Sequence, residues 1–179
     1  MPNRQPPLPP LWLPHVWLVT DARNDTGLEA ALRRLPRGSG LIFRHYHLPA
    51  HERRARFEAL ARLARRRGHC VVFSGSAREA RAWGADGAYG AAAVLGAGPA
   101  LLRLVTVHSL REMARARRAD AVLLSPVFPT RSHPGGRVLG PVRFRLMAGH
   151  ARVPVIALGG MARARARGIA RWAAIDGLG

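Results

Sequence analysis

Eight short apolar segments alternate along this chain with stretches whose apolar residues have helical spacing. The eight predicted strands cover residues 16–20, 40–44, 69–73, 86–89, 102–107, 121–125, 153–158 and 172–176. Most are continuous apolar runs, which is typical of parallel strands covered on both faces. Strands that alternate with helices predict an α/β fold. Eight of them favour a closed TIM-type (β/α)8 barrel over a doubly wound open sheet, although periodicity is compatible with both.

Three helix starts are predicted from capping boxes, in which a hydroxyl accepts from the third backbone N–H and a glutamate returns to the cap. The pairs are Thr26 with Glu29, Ser76 with Glu79, and Ser109 with Glu112. The longest predicted helix covers residues 50–67 and ends at Gly68. The helix after Ser109 is expected to present an apolar face formed by Leu110, Met113 and Ala114.

The ends of the predicted domain carry two further expectations. Residues 1–14 are proline-rich and are predicted to be a loose lead-in, which leaves residues 15–179 as a single domain. Residues 90–99 are short for a helix, and the sequence stops at Gly179, just after the eighth strand. The barrel is therefore expected to be incomplete, with its last helix missing. This leaves an apolar face uncovered between the first and last strands. Either a second copy of the chain covers that face, or the chain is a truncated member of its family.

Arginine supplies all of the strong basic charge. The chain has 29 Lys+Arg against 10 acidic residues, a formal net charge of +19, and no lysine. Loose electrostatic attraction to RNA or to anionic metabolites is expected at this charge. Specific nucleic-acid binding is not expected, because aromatic residues make up only 6% and no recognisable readout motif accompanies the arginines.

Other classes of protein are disfavoured by what the sequence lacks. No apolar run approaches the roughly 18 residues of a membrane span, so no membrane partner is expected. The first residues lack the apolar core of a signal peptide. Cys70 is the only cysteine and is predicted to be a small buried hydrophobe. A cytoplasmic location follows as the plain interpretation.

Two of the predicted strands end in loops rich in hydroxyl, glycine and proline residues. The first is SPVFPTRSHPGG at residues 125–136, and the second is PVIALGGM at residues 154–161. Glycines such as Gly159 and Gly160 let the backbone approach an anion closely. A single Gly-Gly or proline-rich loop is an ordinary turn. Two such loops on successive strands of a barrel favour one phosphate site at its C-terminal mouth.

Together with VTVHSLRE at residues 105–112, these loops resemble the strand ends of the thiamine phosphate synthase/TenI family. The resemblance implies a phosphate-binding (β/α)8 barrel of thiamine biosynthesis that handles the thiazole and pyrimidine halves of the vitamin. It implies that the substrate phosphate is bound by Thr130, Ser132, Gly159 and Gly160. His108 matches the histidine that is the acid/base of TenI-like thiazole tautomerisation, a role that suits imidazole because its pKa lies near neutrality. Many synthases also carry this histidine, so it does not distinguish a synthase from a tautomerase. The alternative to a catalytic role is a histidine that only hydrogen-bonds the backbone near the start of a helix.

The resemblance is incomplete where a synthase holds Mg²⁺ and pyrophosphate. The family's Gln-Leu-Arg-x-Lys motif corresponds to IFRHY at residues 42–46, which keeps Arg44. The departures are Tyr46 for the lysine of that motif, Ser74-Gly75 for an Asn-Asp pair, DGAYG at 86–90 with no following acid, and His133 for the sixth-loop lysine. Without a carboxylate pair Mg²⁺ has few ligands, and the leaving pyrophosphate loses electrostatic help. We therefore expect no metal and no cofactor, with Mg²⁺ only if synthase activity is retained.

Three histidines near the second strand raise a different possibility. His45 and His47 would share one strand face, and His51 opens the following helix. Zinc would need a further ligand, and no carboxylate or thiolate partner is evident for these side chains. We expect them to tune a pocket or to face solvent.

Four functional hypotheses are compatible with the sequence. One is a divergent thiamine phosphate synthase, a transferase. Another is a TenI-like thiazole tautomerase in which His108 moves protons and Arg44, always cationic, holds negative charge. The third is a catalytically inactive relative that binds a phosphorylated thiazole-like ligand. The last, from another class, is a basic RNA-associated protein.

Overall fold

Parallel pairing closes eight strands into a barrel in chain order, so the predicted TIM-type (β/α)8 fold is confirmed. The computed structural model describes residues 13–132 and 134–178. The strands are β1 Val16–Val19, β2 Gly40–Phe43, β3 Cys70–Ser74, β4 Gly87–Gly90, β5 Leu102–Val107, β6 Ala121–Leu124, β7 Val155–Ala157 and β8 Trp172–Ala174. The last strand pairs with the first, with Val16 opposite Trp172.

Helices follow the first six strands. They are α1 Leu28–Arg34, α2 Ala50–Arg66, α3 Ala77–Ala82, α4 Ala92–Leu95, α5 Leu110–Arg115 and α6 Gly140–Ala148. A 3-10 helix, Ala22–Gly27, precedes α1. Between β7 and β8 the connection contains a single 3-10 turn, Arg163–Arg165, where a full helix was expected. None of the helices in the described residues is long and apolar enough to cross a membrane.

Side chains that alternate along the strands form two packed layers. Those inside the barrel include Trp17, Ile42, Leu104 and Ile156. Those on the outside pack against the helices, as Phe43 does against Phe57 of α2. Because the strands are buried on both faces, most of their residues are apolar.

The indole of Trp17 fills the barrel interior opposite a glycine. Trp17 and Gly40 are register partners in the β1–β2 pair. A Cβ at Gly40 would lie 2.0 Å from the indole ring, so this position needs a residue without a side chain. Trp17 Nε1–H donates to Pro14 O at 2.9 Å, and Leu13 is buried with it. The remaining residues of the proline-rich lead-in, 1–12, lie outside the described residues.

Two aspartates stabilise the base of the barrel rather than its mouth. Asp86 precedes β4 and accepts from the backbone N–H of Val71 at 2.7 Å. Asp120 precedes β6 and accepts from the N–H of Arg103 at 2.7 Å. Both carboxylates therefore satisfy backbone donors at the N-terminal ends of the strands.

One of the three predicted capping boxes is complete, and a second has only its hydroxyl cap. Ser76 accepts from the N–H of Glu79 at 3.2 Å, and the Glu79 carboxylate returns to the Ser76 N–H at 2.8 Å. Ser109 also caps its helix, accepting from the N–H of Glu112 at 3.2 Å. The Glu112 carboxylate instead accepts from the backbone of His108 at 2.9 Å.

The predicted capping box at Thr26 is wrong. Gly27 is the N-cap of α1, and no side chain caps that helix. The capping box lies one turn earlier, where Asp21 and Asn24 cap the 3-10 helix. Glu29 is unavailable for a cap because its carboxylate pairs with Arg56 of α2.

Helix α2 packs one face into the core, whereas α5 does not. The buried side chains of α2 include Phe57, Leu60, Ala61 and Ala64. No residue of α5 is buried, and Leu110 is 47% exposed. The predicted apolar face of α5 is therefore wrong: its six residues turn only Met113 toward the core.

The outside of β1 and β8 carries a shallow groove of about 270 Å³. It is lined by Val16, Pro36, Arg163, Ala166, Arg167, Trp172 and Leu178. Trp172 and Leu178 are themselves buried, so this side exposes less apolar surface than the sequence suggested.

Candidate functional site

The loops that follow β6 and β7 lie side by side at the C-terminal mouth. The Val127 N–H donates to Leu158 O at 2.9 Å, and the Phe128 N–H donates to Gly159 O at 3.0 Å. These backbone bonds continue the strand pairing beyond the ends of the two strands. The two segments that the sequence predicted to share an anion are therefore in direct contact.

Both glycines of the seventh loop have left-handed backbones, with φ of 91° at Gly159 and 62° at Gly160. A Cβ at Gly160 would lie 2.3 Å from Pro129 O, so only glycine fits here. Within the described residues, neither glycine N–H donates a hydrogen bond. The Gly160 carbonyl accepts from Arg165 at 2.7 Å. The loop thus offers two N–H groups without an acceptor among the residues described, and its backbone conformation is fixed by its contact with the sixth loop.

Both hydroxyls of the sixth loop already accept a hydrogen bond. Thr130 Oγ1 accepts from the Ser132 N–H at 3.3 Å, and Ser132 Oγ accepts from Arg23 at 3.0 Å. Arg23 also pairs with Asp21 at 3.0 Å. No described hydrogen bond joins either hydroxyl to the glycines of the seventh loop, so a shared phosphate stays a prediction. His133 lies outside the described residues.

Sequence reasoning missed Arg23. It lies in the 3-10 helix that follows β1 and reaches the sixth loop, 109 positions further along the chain. One signal was available, since the carboxyl ends of all parallel barrel strands meet at the same mouth. A charged residue just past the first strand was therefore a candidate.

His108 follows β5 and is exposed. Its Nδ1–H donates to Ser125 O at 2.9 Å, and its backbone N–H donates to Glu112. Its Nε2 makes no hydrogen bond within the described residues. A neutral imidazole held in this way has its lone pair on Nε2, the form needed of a proton acceptor.

Arg44 lies on the other side of the mouth. Its backbone N–H donates to Thr20 Oγ1 at 2.8 Å. Its guanidinium is 4.0 Å from Asp21 and 5.6 Å from the Tyr46 ring centroid. No described contact joins Arg44 to His108, so these two predicted catalytic residues are not brought together.

A half-buried arginine lies at the end of β3, where the family resemblance implies an Asn-Asp pair. Arg53 of α2 donates to Ser74 O at 3.1 Å. Its guanidinium lies 4.7 Å from the Phe73 ring centroid and 5.5 Å from that of Trp83. Burial lowers the pKa of Arg53 below its ordinary value, although an arginine stays charged. Tyr46, which replaces a lysine, hydrogen-bonds the Ser74 hydroxyl. This end of the mouth therefore holds a fixed cation and no carboxylate at Ser74 or Gly75.

Asp25 and His45 form a second polar centre between the loops after β1 and β2. His45 Nε2 is 2.9 Å from Asp25 Oδ1, and its Nδ1 is 2.7 Å from Thr20 Oγ1. Arg56 Nε donates to the same carboxylate oxygen at 2.8 Å. Burial opposes ionisation of Asp25, but hydrogen bonds from His45 and Arg56 hold its pKa below its usual value. Burial lowers the pKa of His45, and Asp25 partly offsets this.

The three histidines near β2 separate into two groups. His45 and His47 lie beyond the end of the strand, with ring centroids 5.0 Å apart. His51 is 84% exposed and lies 3.7 Å from Glu52. Asp25, the carboxylate that the sequence did not reveal, comes from a different loop.

Comparison with known families agrees with this architecture. The family model for thiamine monophosphate synthase matches residues 16–177, nearly the whole chain. The chain belongs to the thiamine monophosphate synthase/TenI family. A search of curated protein sequences finds no significant match.

Solved structures reproduce the barrel. Thiamine phosphate pyrophosphorylase from Pyrococcus furiosus is 25% identical with a TM-score of 0.75, covering 92% of this chain and 86% of that one. The Bacteroides thetaiotaomicron enzyme of the same name is 16% identical with a TM-score of 0.60, covering 91% and 82%. An aldolase/citrate lyase family protein from Burkholderia cenocepacia is 18% identical with a TM-score of 0.61, covering 92% and 89%. The last two similarities concern the fold alone.

Proposed function

We propose that the chain binds a phosphorylated thiazole at the C-terminal mouth, with the phosphate held between the loops after β6 and β7. The observation that carries the proposal is the pair of backbone N–H groups at Gly159 and Gly160, which have no acceptor within the described residues. Free backbone donors beside glycines are typical of phosphate sites. Thr130 and Ser132 supply hydroxyls from the adjoining loop.

Arg23 extends this site. It donates to Ser132 at 3.0 Å and so brings a guanidinium to the sixth loop. Arginine forms charge-assisted hydrogen bonds with phosphate oxygens, which are stronger than those of neutral donors. We include Arg23 among the phosphate-binding residues.

Family and fold support a function related to thiamine biosynthesis. Within that range we infer a TenI-like thiazole tautomerisation in which His108 moves the proton, in the cytoplasm. The interaction of Nδ1–H with Ser125 O supports this role, because it leaves Nε2 free to accept a proton. A general base positioned within hydrogen-bonding reach contributes about 10²–10⁴-fold in rate. Arg44 would hold negative charge on the ligand rather than transfer protons.

A divergent synthase is the second candidate, favoured by the family match and by the retained Arg44. It is opposed by Ser74 and Gly75 at the end of β3, which offer no carboxylate for Mg²⁺. The third candidate is a catalytically inactive relative that keeps only the phosphate site.

Two assays on the purified chain separate these candidates. His108→Ala should abolish thiazole tautomerisation while calorimetry shows nearly unchanged affinity for the thiazole phosphate. A magnesium-dependent condensation of pyrimidine pyrophosphate with thiazole phosphate by the wild type would instead establish the synthase. Binding without either reaction would identify an inactive relative, and absence of binding would refute the phosphate site.

A further inference from the structure

Asp25, His45 and His47 converge at the mouth, where the 3-10 helix after β1 faces the loop after β2. Each side chain offers one ligand atom, and these atoms all lie within 4.8 Å of one another. Two imidazoles and one carboxylate form a nitrogen-rich donor set that suits Zn²⁺ and related transition metals more than Mg²⁺. We propose that these three side chains form a binding site for a divalent transition metal ion.

His45 is already oriented for this role. Its side chain is fully buried, and its ring stacks on Phe43 with centroids 4.8 Å apart. Its φ of 35° lies in the left-handed region, which is strained for a residue with a Cβ and is often found at functional sites. This backbone is maintained by the packing and the hydrogen bonds around the ring.

Thr20 provides the outer support that metal-binding histidines usually have. Thr20 Oγ1 lies 2.7 Å from His45 Nδ1 and also accepts from the backbone N–H of Arg44. A hydroxyl oxygen has two lone pairs, so Thr20 Oγ1 can accept from the Arg44 N–H and from a His45 Nδ1–H at the same time. In the structure His45 Nε2–H donates to Asp25 Oδ1, since a carboxylate oxygen can only accept. Binding of a metal at Nε2 needs the other tautomer, in which the hydrogen is on Nδ1 and is donated to Thr20 Oγ1.

Asp25 can bind a metal while it keeps its hydrogen bond from Arg56. Its Oδ1 accepts from His45 and Arg56, whereas no hydrogen bond within the described residues uses Oδ2. The positive charge of Arg56 is offset by Glu29, with which it also pairs. The cluster therefore keeps one carboxylate oxygen without a partner in the described residues, and its nearest guanidinium is also paired with the Glu29 carboxylate.

His47 completes the site from the solvent side. It is exposed, and its ring makes no hydrogen bond within the described residues. An exposed side chain can rotate, and its ligand atom already lies within 4.8 Å of the other two. Three protein ligands leave at least one coordination position for water, the pattern of catalytic rather than structural zinc sites. The site would thus be open to small ligands at the mouth.

Metal titration of the tag-free protein tests the proposal. Calorimetry with Zn²⁺ should show one ion per chain, and Co²⁺ should give the visible absorption of a site that contains nitrogen ligands. His47→Gln removes an exposed ligand without disturbing the core, and we expect it to weaken Zn²⁺ binding by about tenfold or more. His51→Gln is the matched control, since His51 is an exposed histidine outside the cluster.

The controls distinguish this site from adventitious binding by surface histidines. His51→Gln should leave Zn²⁺ affinity unchanged. Asp25→Asn, with its fold verified by circular dichroism, should weaken binding as His47→Gln does. The proposal is overturned if the wild type binds no stoichiometric Zn²⁺, if His47→Gln binds as tightly as the wild type, or if both histidine variants lose affinity equally.

Discussion

Replacing Gly160 with alanine should separate the two loops that we propose to hold the phosphate. The new Cβ would lie 2.3 Å from Pro129 O and 2.9 Å from the Phe128 Cβ. The first of these atoms belongs to the backbone and cannot rotate away, so one loop must shift. The Gly160 N–H moves with it, away from the position that a bound phosphate requires.

The size of the effect follows from the hydrogen bond that is lost. A hydrogen bond to a charged group contributes about 1.5–3 kcal/mol. Loss of one such bond weakens affinity for the phosphorylated ligand by about tenfold to a hundredfold. The φ of 62° adds a stability cost of about 1–2 kcal/mol for any residue with a Cβ.

Gly38→Ala is the matched control for the backbone cost. Gly38 has a φ of 75°, and a Cβ there would have nothing within 4 Å. Both variants should lose stability in urea, but only Gly160→Ala should lose affinity for thiazole phosphate in calorimetry. A folded Gly160→Ala protein that binds the ligand as the wild type does would refute this account of the phosphate site.

Three further outcomes concern stability. Gly40→Ala should destabilise the barrel by about 3 kcal/mol in urea unfolding, because its Cβ overlaps the Trp17 indole. Ser76→Ala should cost about 1 kcal/mol through loss of a helix cap, and Ser76→Asn should restore most of it. Burial lowers the pKa of His69 in the folded state, so the unfolded chain takes up a proton at this residue more readily than the folded one. The free energy of unfolding is therefore unaffected by His69 above about pH 6.5 and declines as the pH falls below that value. His69→Gln, which can still donate to Leu32 O, should show a smaller loss of stability between pH 7.5 and 5.5 than the wild type; equal losses would exclude His69 as the cause.

The strands were predictable because each is covered on both faces. The segment at residues 102–107, in which four of six residues are apolar, matches β5 at both ends. Cys70 was also predicted correctly as a buried hydrophobe, and burial raises the pKa of its thiol to about 12. Both features follow from residue type and from the residues next to them in the sequence, without knowledge of distant contacts.

The polar contacts of the mouth were less predictable because they join distant loops. Asp25 meets His45 only when β1 and β2 become neighbours, and spacing along the chain gave no sign of that pairing. The failed Thr26 cap has the same origin, since Glu29 is committed to Arg56 of another helix. Arg53 reaches the end of β3 from α2 in the same way. Local patterns describe elements, whereas side-chain partners depend on closure of the barrel.

The amides of Gly159 and Gly160, which have no acceptor in the described part of the chain, have a consequence for how this protein could change over time. An anchor built from backbone atoms is insensitive to most side-chain substitutions around it. The residues after β1, β2 and β3 act through their side chains, so each replacement there alters charge or chemistry directly. On the proposed function, one half of the mouth retains the phosphate while the other half is free to diversify. Selection for a new reaction should therefore accumulate substitutions on the β1–β3 side and leave the glycines in place.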